Sequence, residues 1–291
     1  MMSKRLKDRV AIVTGAGHGL GRAHALELAR HGARVVVNDL QGAARVADEI
    51  RESGGEAIAH GGDVSQSEAM QDMAAAAMSA FGRIDILVNN AGILRDRTFA
   101  KMPLEDFRRV LDVHVMGAVH ATKAVWNQMR SQHYGRIVMT TSSSGLYGSF
   151  GQSNYAAAKM ALVGLMQTLS LEGAKYNVRV NCLAPSAATA MTEGLLPPEA
   201  AQILTPERVS PGLIALVGDA APTRMILLAG GGSFECAHIT MTQGIHIADQ
   251  DDMAGTLCDR IAEVQAQTRQ LIPATGWDQP RHELDKAAAK R

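Results

Sequence analysis

The sequence predicts an α/β fold, a doubly wound parallel sheet in a single domain, and three observations carry that expectation. Short apolar, β-branched runs alternate along the chain with stretches of helical periodicity. The first run, 10–14, opens into Gly15-Ala-Gly-His-Gly-Leu-Gly21 and then into a helical pattern over 22–30. A later run, 84–88, ends in Asn89-Asn-Ala-Gly92, residues that let a backbone turn close to a ligand at a strand's C-terminal end.

The elements follow in order. Strand, glycine loop and helix over 10–30 aim unpaired N–H groups and a positive dipole end at a phosphate. The glycine spacing is Gly-x-x-x-Gly-x-Gly (Gly15, Gly19, Gly21), not the commoner Gly-x-Gly-x-x-Gly. A second strand over 33–38 ends at Asp39, placed to accept hydrogen bonds from ribose hydroxyls or to cap a helix over 42–52. A short strand over 56–60, then Asp63-Val64, a helix over 68–81 and the strand 84–88 complete the first half. The stretches 104–129 and 156–171 are apolar on nearly all sides, so each needs cover on both faces. Strands over 136–141, 178–183 and 225–229 continue the sheet. The Pro-, Ala- and Thr-rich stretch 186–224 is long for a connection and reads as a mobile substrate lid. The domain is expected to span 1–249. An extension, 250–291, then carries an amphipathic helix over 251–271 and a loose tail from Ile272.

Composition narrows the function classes. In 291 residues, Lys plus Arg equals Asp plus Glu at 29 each, which speaks against nucleic acid or a membrane surface as partner. The N-terminal Met-Met-Ser-Lys-Arg-Leu-Lys-Asp lacks a signal peptide's apolar core, and no apolar run approaches the ~18 residues of a membrane span. Cys182, Cys236 and Cys258 are odd in number and widely spaced, without metal-ligand spacing. A cytoplasmic chain without a metal is expected.

The chemistry concentrates in residues 142–159. Tyr155 and Lys159 lie four apart at the head of an Ala-rich apolar run, on one face of a helix, and Ser142 follows the strand 136–141. Such a trio suits proton transfer to or from an alcohol or carbonyl oxygen. Free tyrosine titrates near ~10, too high for a base at neutral pH, and a nearby ammonium is expected to lower that value. Ser142 would hydrogen-bond the reacting oxygen. Taken alone, Tyr-x-x-x-Lys also fits a surface tyrosine stacked over a lysine stem.

Four motifs in order, Thr14-Gly-x-x-x-Gly-x-Gly21, Asn89-Asn-Ala-Gly92, Ser142 and Tyr155-x-x-x-Lys159, resemble the short-chain dehydrogenase/reductase family from about Leu6 to about Ile247. Within it, the chain is most similar to the (3R)-hydroxyacyl-CoA dehydrogenase part of the peroxisomal multifunctional enzymes, through Val35-Val-Val-Asn-Asp-Leu40, Gly92-Ile-Leu-Arg-Asp-Arg97, Tyr134-Gly-Arg-Ile-Val-Met139 and Gly145–Tyr155. It ends in Ala-Lys-Arg rather than a Ser-Lys-Leu address. The resemblance implies a Rossmann fold and a nicotinamide cofactor. Tyr155 would be the acid/base, Ser142 the carbonyl partner, and Lys159 the ligand of the nicotinamide ribose. Gly15, Gly19, Leu20 and Gly21 would lie at the pyrophosphate, Asp39 and Asn90 at the adenosine ribose, and Asp63 and Val64 at the adenine. Thr189 and Thr192, after Pro185-Ser186, are candidate carboxamide contacts. Where many members carry Asn in a proton relay, this chain has His114, which a helix-packing role explains equally well.

The implied activity is NAD-dependent interconversion of a secondary alcohol and a ketone, with a 3-hydroxyacyl-CoA or 3-oxoacyl thioester as the most concrete substrate. A steroid or other secondary alcohol is the alternative within the class, and a non-catalytic NAD(H) sensor or scaffold the alternative outside it. Asp39 would repel the 2′-phosphate of NADP, although His18 stands where NADP-using relatives often carry a basic residue. Arg95, Arg97, Lys101 and Arg108 fit either a CoA phosphate or a solvated basic face. The family's habit of associating through the helices of 104–129 and 156–171 implies a homodimer or homotetramer.

Overall fold

The computed structural model describes residues 4–192, 197–248 and 251–289, and it divides into two compact units, Met1–Cys236 and Ala237–Arg291. The division falls earlier than the expected one at 249.

The first unit begins β1 (Val10–Thr14), α1 (Gly19–Arg30), β2 (Arg34–Asp39), α2 (Ala43–Glu52), β3 (Ala57–Gly61), α3 (Ser67–Phe81) and β4 (Ile86–Asn89). It continues with α4 (Leu104–Leu111), α5 (Gly117–Gln132), β5 (Gly135–Thr140), α6 (Ser143–Tyr147), α7 (Ser153–Gly173) and β6 (Val178–Ser186). Last come α8 (Pro198–Ile203), α9 (Ser210–Val217), β7 (Ile226–Gly230) and β8 (Ser233–Ala237). The sheet order is β3-β2-β1-β4-β5-β6-β7-β8, and the pairings from β3 through to β7 are parallel. Every residue of β1, β4 and β5 is buried, as a parallel sheet covered on both faces requires. On one face, Val13, Val35 and Val88 meet Leu28 of α1, Ile50 of α2 and Leu213 of α9. Helices α3, α5 and α7 contact one another or the strands from the other side.

Several expectations change. The stretch 104–129 is not one helix: a π-helical turn, Asp112–Met116, separates α4 from α5 and carries a buried histidine inward. The expected lid over 186–224 is not one mobile segment: Ala187 packs against the core and Val209, Leu213, Leu216 and Val217 are buried in it, while 193–196 lie outside the described residues. Strand β8 gave no sequence signal, since its Ser-Phe-Glu-Cys-Ala is an exposed edge without apolar alternation. It follows β7 through Gly231 and Gly232, both at positive φ, a link long enough only for an antiparallel return.

The second unit contains β9 (Met241–Thr242), α10 (Met253–Asp259), α11 (Ile261–Val264), β10 (Gln270–Leu271) and α12 (Asp278–Ala288). The expected helix over 251–271 breaks at Arg260 (φ −106°), and its end pairs antiparallel with β9 instead. The tail is not loose. Pro280 sits in the first turn of α12, where its missing N–H costs nothing, and the Asp278 carboxylate accepts the N–H groups of Ala274 and Thr275 (2.6 and 3.1 Å). Among the described residues no helix is long and apolar enough to cross a membrane, and no cluster of His, Cys, Asp or Glu is arranged to hold a metal.

At the N-terminal end of the central strands, the fully buried Asp85 carboxylate accepts the Val10 N–H (2.9 Å) and both arms of Arg83 (2.7 and 2.6 Å), with Arg9 at 3.4 Å. Removing it leaves a strand N–H and the Arg83 guanidinium without their acceptor, while Arg9 keeps Asp219 (2.8 Å). We expect Asp85→Ala to lose about 3 kcal/mol in urea unfolding, the lower end of the cost of breaking a buried pair because both arginines are partly solvated. A loss below about 1 kcal/mol would show that water replaces the carboxylate.

Candidate active site

Sheet order reverses between β1 and β4, so the loops leaving their C-terminal ends part and open a cleft. The glycine loop forms one wall. Gly15 has φ +63°, and a Cβ there would lie 2.7 Å from the Ala91 Cα. A Cβ on Gly21 would run into the Gly15 carbonyl and the Asn90 amide. The two loops are also bonded: the Asn90 side-chain amide donates to the carbonyls of Thr14 and Gly15 (3.0 and 2.9 Å). The Thr14 hydroxyl in turn accepts the N–H groups of Asn90 and Ala91 (3.1 and 3.2 Å). Asn90 borders the cleft as expected, but its amide is engaged in holding the glycine loop.

Asp39, at the end of β2, also borders the cleft. Its carboxylate accepts the N–H groups of Gly17 (2.8 Å) and Gln41 (3.1 Å), with His18 Nδ1 at 3.6 Å. It does not cap α2, whose N-cap is Gly42. Each carboxylate oxygen can accept a second hydrogen bond, so these contacts leave capacity for two hydroxyls. Gly17 was not singled out from the sequence, yet any side chain there would strike the Gln41 carbonyl. Leu20, Gly19, Asp63 and Val64 border the same cleft. Burial pushes the Asp63 carboxyl up, but bonds from Ser65 and the nearby Arg109 guanidinium (3.3 Å) outweigh it and hold the group below its ordinary value. Arg109 is a cleft residue that the sequence reading missed, because nothing in its spacing separates it from its neighbour Arg108 in α4. Thr189 borders the cleft beside Gly19. The side chain of Thr192 lies outside the described residues.

At the inner end stand Tyr155 and Lys159, in the first two turns of α7, with Ser142 at the N-cap of α6. The Ser142 hydroxyl accepts the Ser144 N–H (3.1 Å) and lies close enough to the Tyr155 phenol to favour its ionised form. Lys159 is buried. Its Nζ donates to the Thr140 carbonyl (2.6 Å) and lies 5.4 Å from the centre of the Tyr155 ring. Two electrostatic consequences differ from expectation. Burial raises the Tyr155 phenol above its ordinary value, with the Ser142 hydroxyl only partly opposing it. Burial also lowers Lys159 to about 7, so this lysine is a weak source of positive charge. The expected lowering of Tyr155 by Lys159 is therefore absent from this arrangement, because desolvation of the phenolate dominates.

His114 is buried in the π-helical turn, its ring edge-on to Tyr155 (centroids 5.3 Å apart, planes at 89°). Its Nε2 faces both the N–H (3.0 Å) and the carbonyl (2.8 Å) of Ile93, and its ring occupies the space where a side chain on Gly92 would go. Burial, reinforced by Lys159, lowers it to about 3, so it stays neutral. Arg95, Arg97, Lys101 and Arg108 are all exposed.

The structure thus gathers the glycine loop, Asp39, Asp63, Val64, Asn90, Tyr155 and Lys159 around one cleft, with Ser142 close to the Tyr155 phenol. The family model for short chain dehydrogenases matches residues 9–199. A Mycobacterium tuberculosis protein named as a short-chain type dehydrogenase/reductase is 48% identical over 242 residues, 79% of this chain and 85% of that one. Mouse peroxisomal multifunctional enzyme type 2 is 45% identical over 79% of this chain, which spans only 32% of the mouse enzyme. The solved full-length peroxisomal multifunctional enzyme type 2 of Drosophila melanogaster superposes with a TM-score of 0.83 at 35% identity, covering 98% of this chain and 50% of that one. Both names place those relatives in the peroxisome, not in the compartment that composition led us to expect. With its family match over most of the dehydrogenase unit and its motifs assembled at one cleft, this chain belongs to the short-chain dehydrogenase/reductase family.

Proposed function

We propose that the chain is an NAD-dependent dehydrogenase that interconverts the secondary alcohol and ketone of a 3-hydroxyacyl/3-oxoacyl thioester, with CoA as carrier. The observation that carries the reading is one cleft bordered by the glycine loop, Asp39, Tyr155 and Lys159, with Ser142 close to the Tyr155 phenol. Likeness to the multifunctional enzymes over the whole dehydrogenase unit supports the acyl-CoA substrate.

The residues present fit a dinucleotide. Neighbouring backbone and side chains leave no room for a side chain at Gly15, Gly17 or Gly21, so the loop that borders the cleft stays bare at these positions, and the Asp39 carboxylate keeps acceptor capacity toward ribose hydroxyls. When bound, the nicotinamide supplies or takes up the hydride. Lys159 would hold its ribose, and Gly19 and Leu20 would face the pyrophosphate. Ser142 would hydrogen-bond the substrate oxygen and set it against Tyr155. Because burial keeps Tyr155 neutral, the site stands ready as a proton donor: as the carbonyl is reduced, the phenol O–H bond breaks and its proton passes to the new alkoxide oxygen. Lys159, near neutrality in its own titration, can return a proton to the phenolate. Met116 of the π-helical turn and Met160 and Leu171 of α7 stay 42, 40 and 50% exposed, which supports a homo-oligomer built on the segments 104–129 and 156–171. Light scattering at micromolar concentration should show at least a dimer, and a monomer would send us to another cover for those helices.

Tyr155→Phe keeps the ring against His114 and removes the proton. Reduction of 3-oxoacyl-CoA should fall by a factor of about 100 or more, the usual weight of a general acid, while NADH binding by fluorescence titration stays unchanged. Near-parental turnover would remove Tyr155 from the acid/base role. A parent that binds NADH but reduces no member of a 3-oxoacyl-CoA, steroid and simple-ketone panel would favour a sensor.

Cofactor choice turns on Asp39. Its carboxylate accepts ribose hydroxyls by charge-assisted bonds and meets a 2′-phosphate as like charge, with Leu40 and Gln41 offering no cation. The kcat/KM with NADH should exceed that with NADPH by about tenfold or more, an interval of about 1.4 kcal/mol, and Asp39→Ser should shrink or reverse the ratio. Equal use of NADPH by the unaltered protein would show that Asp39 does not meet the ribose.

A further inference from the structure

Asn154, immediately before Tyr155, was not singled out from the sequence, and its side chain is fully buried. Its Nδ2 donates to the Arg95 carbonyl (2.9 Å), and its Oδ1 accepts the N–H of Tyr155 (2.7 Å). First-turn N–H groups of a helix have no partner within it, and Gln152, the N-cap of α7, makes no side-chain capping bond. Asn154 therefore supplies the acceptor for the backbone of Tyr155 and, with the same amide, grips the loop that follows β4. Two further bonds run along this seam: Arg97 N–H to the Gly151 carbonyl (2.8 Å) and Gln152 Nε2 to Asp96 (2.7 Å). The Gln152–Asp96 bond is exposed, where water competes, whereas Asn154 is sealed from it. Nearer the cleft, His114 holds Ile93, and beyond it Asn90 holds the glycine loop. The chain of contacts thus runs from the nucleotide cradle through Asn90–Arg95 to the backbone of Tyr155.

We propose that Asn154 is a positioning residue: it ties the loop after β4 to the first turn of α7 and so fixes the Tyr155 hydroxyl relative to whatever lies against the glycine loop. This rests on the reading of Tyr155 as acid/base. An amide suits the place because one planar group offers a donor to Arg95 and an acceptor to Tyr155 at once.

The test compares Asn154→Ala and Asn154→Asp with the parent. At about pH 8, where an aspartate is ionised, Asn154→Asp keeps an acceptor for Tyr155 but turns an anion toward the Arg95 carbonyl. Both variants should lose about tenfold or more in kcat, as a small misplacement of a reacting group does, with NADH affinity within about twofold. Protonation gives the introduced carboxyl the donor it lacks, so kcat of Asn154→Asp relative to the parent should rise toward about pH 5, a carboxyl range that burial shifts upward. In Asn154→Ala, amide hydrogen exchange should quicken in peptides covering 93–97 and 151–157 and not in β1. A kcat within about twofold of parent in Asn154→Ala, even with a lowered melting temperature, would make the residue structural only and overturn the proposal. So would a pH-independent ratio of Asn154→Asp to parent, or unchanged exchange in both peptides. Exchange needs no substrate, so a parent that reduces no 3-oxoacyl-CoA sinks the thioester reading while the Asn154 tie is still judged on exchange, and on whichever ketone the panel reveals.

Discussion

The pairing of β1 with β4 is the constraint on which the rest of the structure depends. The chain leaves β3 at the sheet's edge and returns beside β1, which brings the glycine loop within bonding distance of Asn89-Asn-Ala-Gly92. The side chains of Thr14 and Asn90 then close four hydrogen bonds between the two loops, each to a backbone N–H or carbonyl of the opposite loop. Glycine at 15 and 21 follows from that closeness, because a Cβ would occupy the space of the opposing backbone or amide. The cleft is what remains once these loops are held.

Burial sets the electrostatics of the inner end. A phenol, an ammonium and an imidazole lie within one poorly solvated region, and each moves toward its neutral form: Tyr155 up, Lys159 down to about 7, His114 down to about 3. The result is a set of neutral or nearly neutral groups in which a proton can move without leaving a large uncompensated charge. Local rules of stability are broken here. Lys159 is buried with a backbone carbonyl as its anchor, and among the described residues His114 Nδ1 and Thr140 Oγ1 have no hydrogen-bond partner. Such departures gather where function outweighs packing.

Much of this was legible in the sequence, and for identifiable reasons. Parallel strands covered on both faces read as unbroken apolar runs, so β1, β2, β4 and β5 were found to within a residue or two. The glycine loop, Asp39, Ser142, Tyr155 and Lys159 were found because each sits at a strand end or helix start, where local spacing and cleft geometry coincide. The edge strand β8, the helix α12 and the break at Arg260 were not, since their form depends on turn geometry and local pairing that periodicity does not encode.

The sequence by itself determined the alternation of strands and helices, the place of the glycine loop and the candidate proton-transfer side chains, because all three are written in short-range spacing. Only the tertiary structure decided their energetics and their fastening. That Tyr155 is raised rather than lowered follows from the desolvation of its half-buried phenol, and no neighbour at i+4 reveals burial. That Asn90 serves the glycine loop, that His114 holds Ile93 and that Asn154 bridges Arg95 to Tyr155 are contacts that reach across 21 to 76 positions of the chain. They exist because the sheet crossover brings the loop after β4 against both β1 and the head of α7, a proximity that side-chain chemistry exploits but does not announce.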